Sequence, residues 1–181
     1  MSKPPTGPLS KPDLARAVYD AAYITGDFLL RSGQRSTEYF DKYRFESQPA
    51  LLREIARQLA PLVPADTDLL AGLEMGGIPI ATALSLETGI PAVFVRKAAK
   101  EYGTCLFAEG APIAGRKLCV IEDVVTSGGQ ALLSAQDLRG ADAILQTVIC
   151  VINRSGKPNP LAEAQLELRA LFTMAELKAG R

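Results

Sequence analysis

Apolar runs and amphipathic stretches alternate along most of the chain. Leu69 to Leu73, Ala92 to Val95, Leu118 to Ile121 and Ile144 to Ile152 are nearly continuous in aliphatic residues. Runs this short without polar alternation predict strands buried on both faces. Helices are expected between them, over Ile78 to Leu86 and Gln130 to Leu138. Strand-helix alternation of this kind predicts an α/β fold with a central parallel sheet covered by helices. The first part of the chain reads differently. Ser10-Lys-Pro-Asp13 has the form of a helix start, with a proline in the first turn and an acid against the dipole. Leu14, Ala17, Val18 and Ala21 follow at helical spacing, and Gly26 is expected to end that segment. Phe28 to Arg31 and Glu38 to Tyr43 read as two strands around a Ser32-Gly33-Gln34 turn. Pro49 opens a helix carrying Leu52, Ile55, Ala56 and Leu59, and Gln165 to Phe172 reads as a late strand before a short helix. No repeat or strong boundary interrupts the pattern, so one domain is expected, with a small hood over about 1–48 and a core over about 49–181.

Composition narrows the chemistry. The 181 residues carry 20 basic and 20 acidic side chains, so the basic excess of a general nucleic-acid binder is missing. No apolar run is long enough to span a bilayer, and the first residues lack a signal-peptide core. Three cysteines, at 105, 119 and 150, match neither a disulfide framework nor a zinc site, so a reducing cytoplasm is expected. The chain has no histidine. Ser-His and Cys-His catalysis and His-based metal sites are thereby excluded.

The most informative stretch is Leu118-Cys-Val-Ile-Glu-Asp-Val-Val-Thr-Ser-Gly-Gly-Gln130. An apolar strand delivers two carboxylates, Glu122 and Asp123, at its carboxyl end, where open α/β sheets bind ligands. Hydroxyls and glycines follow, then a helix. Backbone amides from Thr126 to Gln130 at a helix N-terminus favour an anion such as phosphate. Carboxylates just upstream would repel phosphate but suit sugar hydroxyls. Phosphate beside a diol describes a ribose 5-phosphate site. The alternative is an ordinary strand-to-helix turn with a capping hydroxyl. Neither a Walker loop nor a dinucleotide fingerprint fits the order of residues.

Val120 to Gln130 resembles the signature by which type I phosphoribosyltransferases bind phosphoribosyl pyrophosphate (PRPP). Four further stretches, together spanning about Phe28 to Arg154, are similar to the orotate phosphoribosyltransferases in particular. The resemblance implies the fold of that superfamily, with a small hood and a lid loop. It also implies transfer of 5-phosphoribosyl from PRPP to orotate, giving orotidine monophosphate and pyrophosphate in pyrimidine biosynthesis.

Phe28-Leu-Leu-Arg-Ser-Gly33 and Ser36-Thr-Glu-Tyr-Phe40 imply that Arg31 meets PRPP or the base, and that Tyr39 and Phe40 cover the base ring; packing within a hairpin is the other reading of the two aromatics. Gly72-Leu-Glu-Met-Gly-Gly-Ile-Pro79 implies a pyrophosphate turn at Glu74, Met75, Gly76 and Gly77, with a strained peptide near Glu74–Met75. Many family members carry a lysine where this chain has Gly76, so only backbone contacts are expected there. Val95-Arg-Lys-Ala-Ala-Lys-Glu-Tyr-Gly103 sets Arg96, Lys97 and Lys100 within five positions. They are suited to a departing pyrophosphate, although a solvated basic loop would look the same. The loop from Lys97 to Ile113 is expected to act as a lid, reaching into the neighbouring subunit of a homodimer as in the family. The family often has histidine at Tyr102, so a proton role there is expected to be absent or weakened. Glu109 is a further loop candidate. Val151-Ile-Asn-Arg-Ser155 implies that Arg154 pairs with the orotate carboxylate.

The resemblance implies Lys100 and Asp123 as catalytic groups. PRPP would contact Arg31, Arg96, Lys97, Lys100, Tyr102 and the run Glu122, Asp123, Val124, Val125, Thr126, Ser127, Gly128, Gly129 and Gln130. Orotate would contact Tyr39, Phe40, Thr126 and Arg154. Mg²⁺ is expected to arrive on PRPP, with no direct protein ligand. No nucleic-acid or membrane partner is expected. Two rivals remain at this point, a phosphoribosyltransferase for another base and a PRPP-sensing regulator without activity.

Overall fold

The computed structural model describes residues 7–29, 33–98 and 106–179. Arg31, Lys100, Tyr102 and Cys105 lie outside the described residues.

Helix α1 spans Lys11–Ala22, capped by Ser10, whose hydroxyl accepts the Asp13 amide. Its apolar face buries Leu14, Ala15, Val18, Tyr19 and Ala22. The chain then passes directly into β1 (Tyr23–Leu29), which pairs antiparallel with β2 (Arg35–Phe40). The helix thus stops four residues before Gly26. Tyr23, Ile24 and Thr25 are aromatic or β-branched residues and are recruited into the hairpin, where the register slips between Thr25 and Phe28. A four-residue helix, α2 (Tyr43–Glu46), replaces the end of the expected second strand and buries Phe45 completely. Helix α3 runs from Pro49 to Leu59 as expected.

The core elements follow as β3 (Leu69–Leu73), α4 (Gly77–Thr88), β4 (Ala92–Val95), β5 (Ala108–Glu109), β6 (Lys117–Val125), α5 (Gly129–Gly140), β7 (Ile144–Asn153), β8 (Glu167–Thr173) and α6 (Met174–Ala179). The six-stranded sheet has the order β5-β4-β3-β6-β7-β8. All neighbours are parallel except β5, which lies antiparallel on β4 within the stretch expected to be loop. The sheet is therefore mixed rather than wholly parallel. Strands β3 and β6 are central, and two apolar clusters pack on opposite faces, one around Leu70, Ile80, Ile121 and Ile149, the other around Ala71, Val93, Val120 and Val148. Alternate residues of one strand serve the two clusters, as the pleat requires.

Strand order reverses at β3 and β6, which are neighbours although far apart in sequence. Such a switch point opens a crevice beyond the carboxyl ends of the strands. Strand β6 runs through Glu122 and Asp123 to Val125, four residues beyond the apolar run, because β7 and β8 continue alongside it. No helix among the described residues is long and apolar enough to cross a membrane.

Phe45 ties α2 to the cluster that also contains Leu14, Ile55 and Ile121. Phe45→Ala should cost ~3–5 kcal/mol, the usual range for emptying a buried phenyl site. Urea unfolding would measure this, and a loss below about 1 kcal/mol would mean that α2 is not anchored as described.

Candidate functional site

The turn expected to meet pyrophosphate links β3 to α4 through Glu74, Met75 and Gly76. The Glu74–Met75 peptide is cis. Glu74 holds the turn in place from both ends: its amide donates to Val95 O at 2.8 Å, and its Oε1 accepts the Lys97 amide at 2.6 Å. Its carboxylate thus fastens the end of β4 to the turn. Met75 projects outward and is exposed. Gly76 and Gly77 lie hard against the acid pair. A Cβ on Gly76 would fall 1.6 Å from Asp123 Oδ2, and one on Gly77 would fall 2.3 Å from Ile121 O. Only glycine lets this turn descend onto β6.

The two acids, expected together on a ribose, have different settings. Asp123 is wholly buried. Its Oδ1 accepts the Val124 amide at 2.5 Å, and Lys42 Nζ lies 2.5 Å from its Oδ2. Glu122 is partly exposed, though its Oε2 is buried without a hydrogen-bond partner. Burial, and then the Asp123 charge, push the Glu122 carboxyl up to about 8, while Lys42 and Lys97 pull it back. A third carboxyl, Glu46 of α2, is 6% exposed, and neither of its oxygens has a hydrogen-bond partner. Burial first, then Asp123, push it up to about 9.

The expected phosphate cradle follows Val125. Thr126 and Ser127 are exposed, and Gly128 adopts φ +84° as N-cap of α5. A Cβ at Gly128 would also strike Leu161 Cδ2 at 2.5 Å. Ser127 Oγ accepts the Gly129 amide at 3.4 Å, a long bond that leaves this helix N-terminus receptive to an anion. Arg154 stands beside the cradle, one residue past β7, where its amide donates to Val125 O at 2.8 Å. Asn153 shapes the loop after it by accepting the Ser155 amide and donating to Lys157 O.

Arg96 and Lys97 leave β4 toward the same crevice. The Arg96 amide is bonded to Phe107 O, and its Nε stands 3.8 Å from Glu109 Oε1. The aromatic pair of the hood is divided. Tyr39 is exposed beside Phe28, with ring centroids 5.4 Å apart, whereas Phe40 turns toward Tyr19 of α1. Successive residues of a strand face opposite ways, so the two rings do not form one platform. Cys119 and Cys150 are free and buried, and burial pushes both thiols up to about 12, as suits core residues.

The structure thus gathers the cradle, the acid pair, the Gly76–Gly77 turn, Arg96, Lys97 and Arg154 around the carboxyl ends of β3, β4, β6 and β7. Sequence reasoning missed Lys42, Glu46 and Asn153. Lys42 fell inside an expected strand, and Glu46 between elements. Asn153 stood only as the neighbour of Arg154.

No protein-family model matches the chain. It is 52% identical over 169 residues to the orotate phosphoribosyltransferase of Nocardioides sp. (strain ATCC BAA-499 / JS614), covering 93% of this chain and 94% of that one. Among solved structures, the Mycobacterium tuberculosis H37Rv orotate phosphoribosyltransferase bound to Fe(III) dicitrate superposes with a TM-score of 0.82 at 29% identity, covering 92% of this chain and 98% of that one. The same enzyme in complex with PRPP gives a TM-score of 0.78 at 26% identity, over 93% and 98% of the two chains.

Two outcomes are expected. Gly76→Ala should force the turn off Asp123 at ~1–3 kcal/mol of overpacking, enough to weaken PRPP binding about tenfold. Calorimetric titration with PRPP would detect this, and wild-type affinity would contradict the close packing. Glu46 and Glu122 stay protonated in the fold at pH values where the unfolded chain has released the proton. The stability they contribute is complete below about 4.5 and is lost as pH rises to about 8 and about 9. Thermal melts should therefore show Tm falling across that interval; a flat Tm would rule out buried neutral carboxyls.

Proposed function

The chain belongs to the orotate phosphoribosyltransferases, and from that membership we propose how its residues divide the transfer of 5-phosphoribosyl from PRPP to orotate. The observation that carries the reading is the descent of the Gly76–Gly77 turn onto Glu122 and Asp123, with the Thr126 to Gln130 cradle on the same strand end. Anion-binding amides thus flank two carboxyls on both sides.

The cradle from Thr126 to Gln130 holds the 5-phosphate, and its hydroxyls add donors at Thr126 and Ser127. Val124 and Val125 contribute backbone only, since they continue the ladder with β7. The acid pair serves the ribose hydroxyls, Glu122 by direct contact and Asp123 from beneath it. Approach of the substrate's cations and hydroxyls lowers the cost of ionising Glu122, whose pKa stands near 8 without them.

Departing pyrophosphate meets the amides of the Glu74 to Gly77 turn, with Arg96 and Lys97 close by. Both cations start from backbone that is fixed, Arg96 by Phe107 and Lys97 by Glu74. Charge on the leaving group is thus met by donors already in position, usually the largest part of such catalysis. Lys100, Tyr102 and Arg31 complete the PRPP contacts in this reading, and Lys100 joins Asp123 as a catalytic group. The loop from Lys97 to Ile113 would close over the site and share it with a second subunit of a homodimer. Mg²⁺ would enter on PRPP and offset its pyrophosphate charge. The donor set suits that arrangement, because Lys42 already neutralises Asp123 and a metal would draw its ligands mainly from the substrate.

Arg154 pairs with the orotate carboxylate. Its amide is locked to Val125 O, so the side chain starts from the edge of the phosphate cradle. Tyr39 offers its exposed ring to the base, while Phe40 stiffens the hairpin behind it. Buried free thiols at Cys119 and Cys150 suit a reducing compartment such as the cytoplasm.

Steady-state assays with orotate, uracil, adenine and xanthine test the acceptor, and turnover of orotate alone is expected. Arg154→Ala should remove a charge-assisted pair of ~1.5–3 kcal/mol, raising KM for orotate on the order of ten- to a hundredfold. KM for PRPP should stay within about twofold. Equal losses for both substrates would assign Arg154 to the scaffold instead.

A further inference from the structure

Lys42 and Glu46 belong to no expected contact, yet they converge on Asp123. Both sit on the short hood helix, Lys42 as its N-cap and Glu46 as its last residue. Lys42 Nζ lies 2.5 Å from Asp123 Oδ2, the atom that closes the space above Gly76. No residue from Glu74 to Pro79 carries a positive side chain. At Gly76 there is no room for one, since even a Cβ would overlap Asp123. The counter-charge for the buried acid therefore comes from the hood.

Glu46 poses a separate problem. Among the described residues no donor meets either of its oxygens, although the residue is only 6% exposed. Its polar neighbour is the Asp123 carboxylate, itself an acceptor. Two carboxyls in such contact form a hydrogen bond only when one of them holds a proton. We propose that Lys42 and Glu46 are positioning residues that clamp Asp123 beneath the PRPP site, Lys42 by its charge and Glu46 by a proton donated to the Asp123 carboxylate.

The surrounding charges agree. Burial works against the Lys42 ammonium, but the Asp123 contact outweighs it, and Tyr43 and Glu122 act in the same direction, leaving its pKa raised. Glu46 faces Asp123 and Glu122 from β6 and Lys42 from its own helix; burial and the two acids raise its pKa while Lys42 lowers it. At neutral pH the group therefore holds one ammonium on Lys42 and protons on Glu46 and Glu122. Removing Lys42 leaves three carboxyls beside a site built for an anionic substrate. Ionising Glu46 sets two carboxylates against each other and pushes the hood away from β6. Phe45, between the two clamp residues in sequence and buried in the core, makes that displacement a strain on the acid pair rather than a free movement of the hood.

The inference rests on the orotate phosphoribosyltransferase reading, which the wild-type rate with orotate and PRPP tests first and separately. Full-length Lys42→Met, Lys42→Arg and Glu46→Gln would then be compared by steady-state kinetics with PRPP varied at saturating orotate. Lys42→Met should raise KM for PRPP roughly tenfold or more, with a smaller effect on kcat, and Lys42→Arg should restore most of the loss. Wild-type protein should lose kcat/KM for PRPP as pH rises through about 9, the value for Glu46. Glu46→Gln presents an amide that donates to Asp123 at every pH, so that alkaline fall should vanish. A wild-type KM for PRPP in Lys42→Met would overturn the charge half of the clamp. An unchanged alkaline fall in Glu46→Gln would overturn the proton half, and this holds even if Lys42→Met fails to fold.

Discussion

Backbone and carboxylate meet at van der Waals limits where the turn after β3 rests on the end of β6. A methyl group at Gly76 would overlap Asp123, and one at Gly77 would overlap the Ile121 carbonyl. Most of the site follows from this approach. The turn can present its amides to an anion only because it lies this low. Glu122 and Asp123 can sit between the two glycine-bearing turns only because no side chain intervenes. Strand β6 must remain paired up to Val125 to carry them there, which β7 ensures through Glu122 opposite Cys150 and Val124 opposite Ile152. The same pairing carries the Arg154 amide to Val125 O and so fixes where Arg154 leaves the strand end.

That packing has an electrostatic consequence. Carboxyls pressed under backbone lose water, and each must find a cation, a donor or a proton. Asp123 finds Lys42, while Glu122 and Glu46 keep protons at neutral pH. The site without substrate therefore carries less negative charge than its sequence implies. The floor of the site is thus nearly neutral rather than a set of three carboxylates, and Arg96 and Lys97 follow directly on β4. Glu74 contributes differently: its carboxylate is spent on the Lys97 amide, so it shapes the turn rather than the field above it.

Local pattern foretold the elements whose limits are set locally. Leu69 to Leu73 and Ala92 to Val95 were legible because polar or conformationally special residues bound each run, and Pro49 marked the start of α3. The cradle was legible because strand, acids, hydroxyls, glycines and helix are contiguous. What escaped depends on distant partners. Strand β6 continues through two acids because β7 lies beside it, and no propensity of Glu122 or Asp123 announces that. Helix α1 ends early because β2 captures Tyr23 to Leu29. Residues β5 contributes to the sheet are only two, too few to carry a periodic signal. Lys42 and Glu46 were invisible for the same reason: their partner is about eighty positions away, and in sequence they are ordinary charges in a polar stretch.

A chain without histidine still needs groups that change protonation near neutrality if its site is to respond to substrate charge. Here burial creates them from carboxyls. Glu122 near 8 and Glu46 near 9 occupy the range that imidazole would otherwise bracket from below. The difference matters for sign. A histidine gains charge on acidification, whereas these acids gain charge as pH rises, and always a negative one. A histidine-bearing site of this kind becomes more receptive to an anion in acid, whereas here ionising Glu46 in alkali sets a second negative charge against Asp123. The two acids also differ in what ionises them. Glu122 has exposed surface and can be driven to ionise by the substrate itself, whereas Glu46 is sealed beneath Asp123 and can ionise only at the expense of the packing above it. In the proposed reading, one proton is coupled to binding and the other to the integrity of the site. That division follows from their positions on β6 and on the hood, before any chemistry at the ribose is considered.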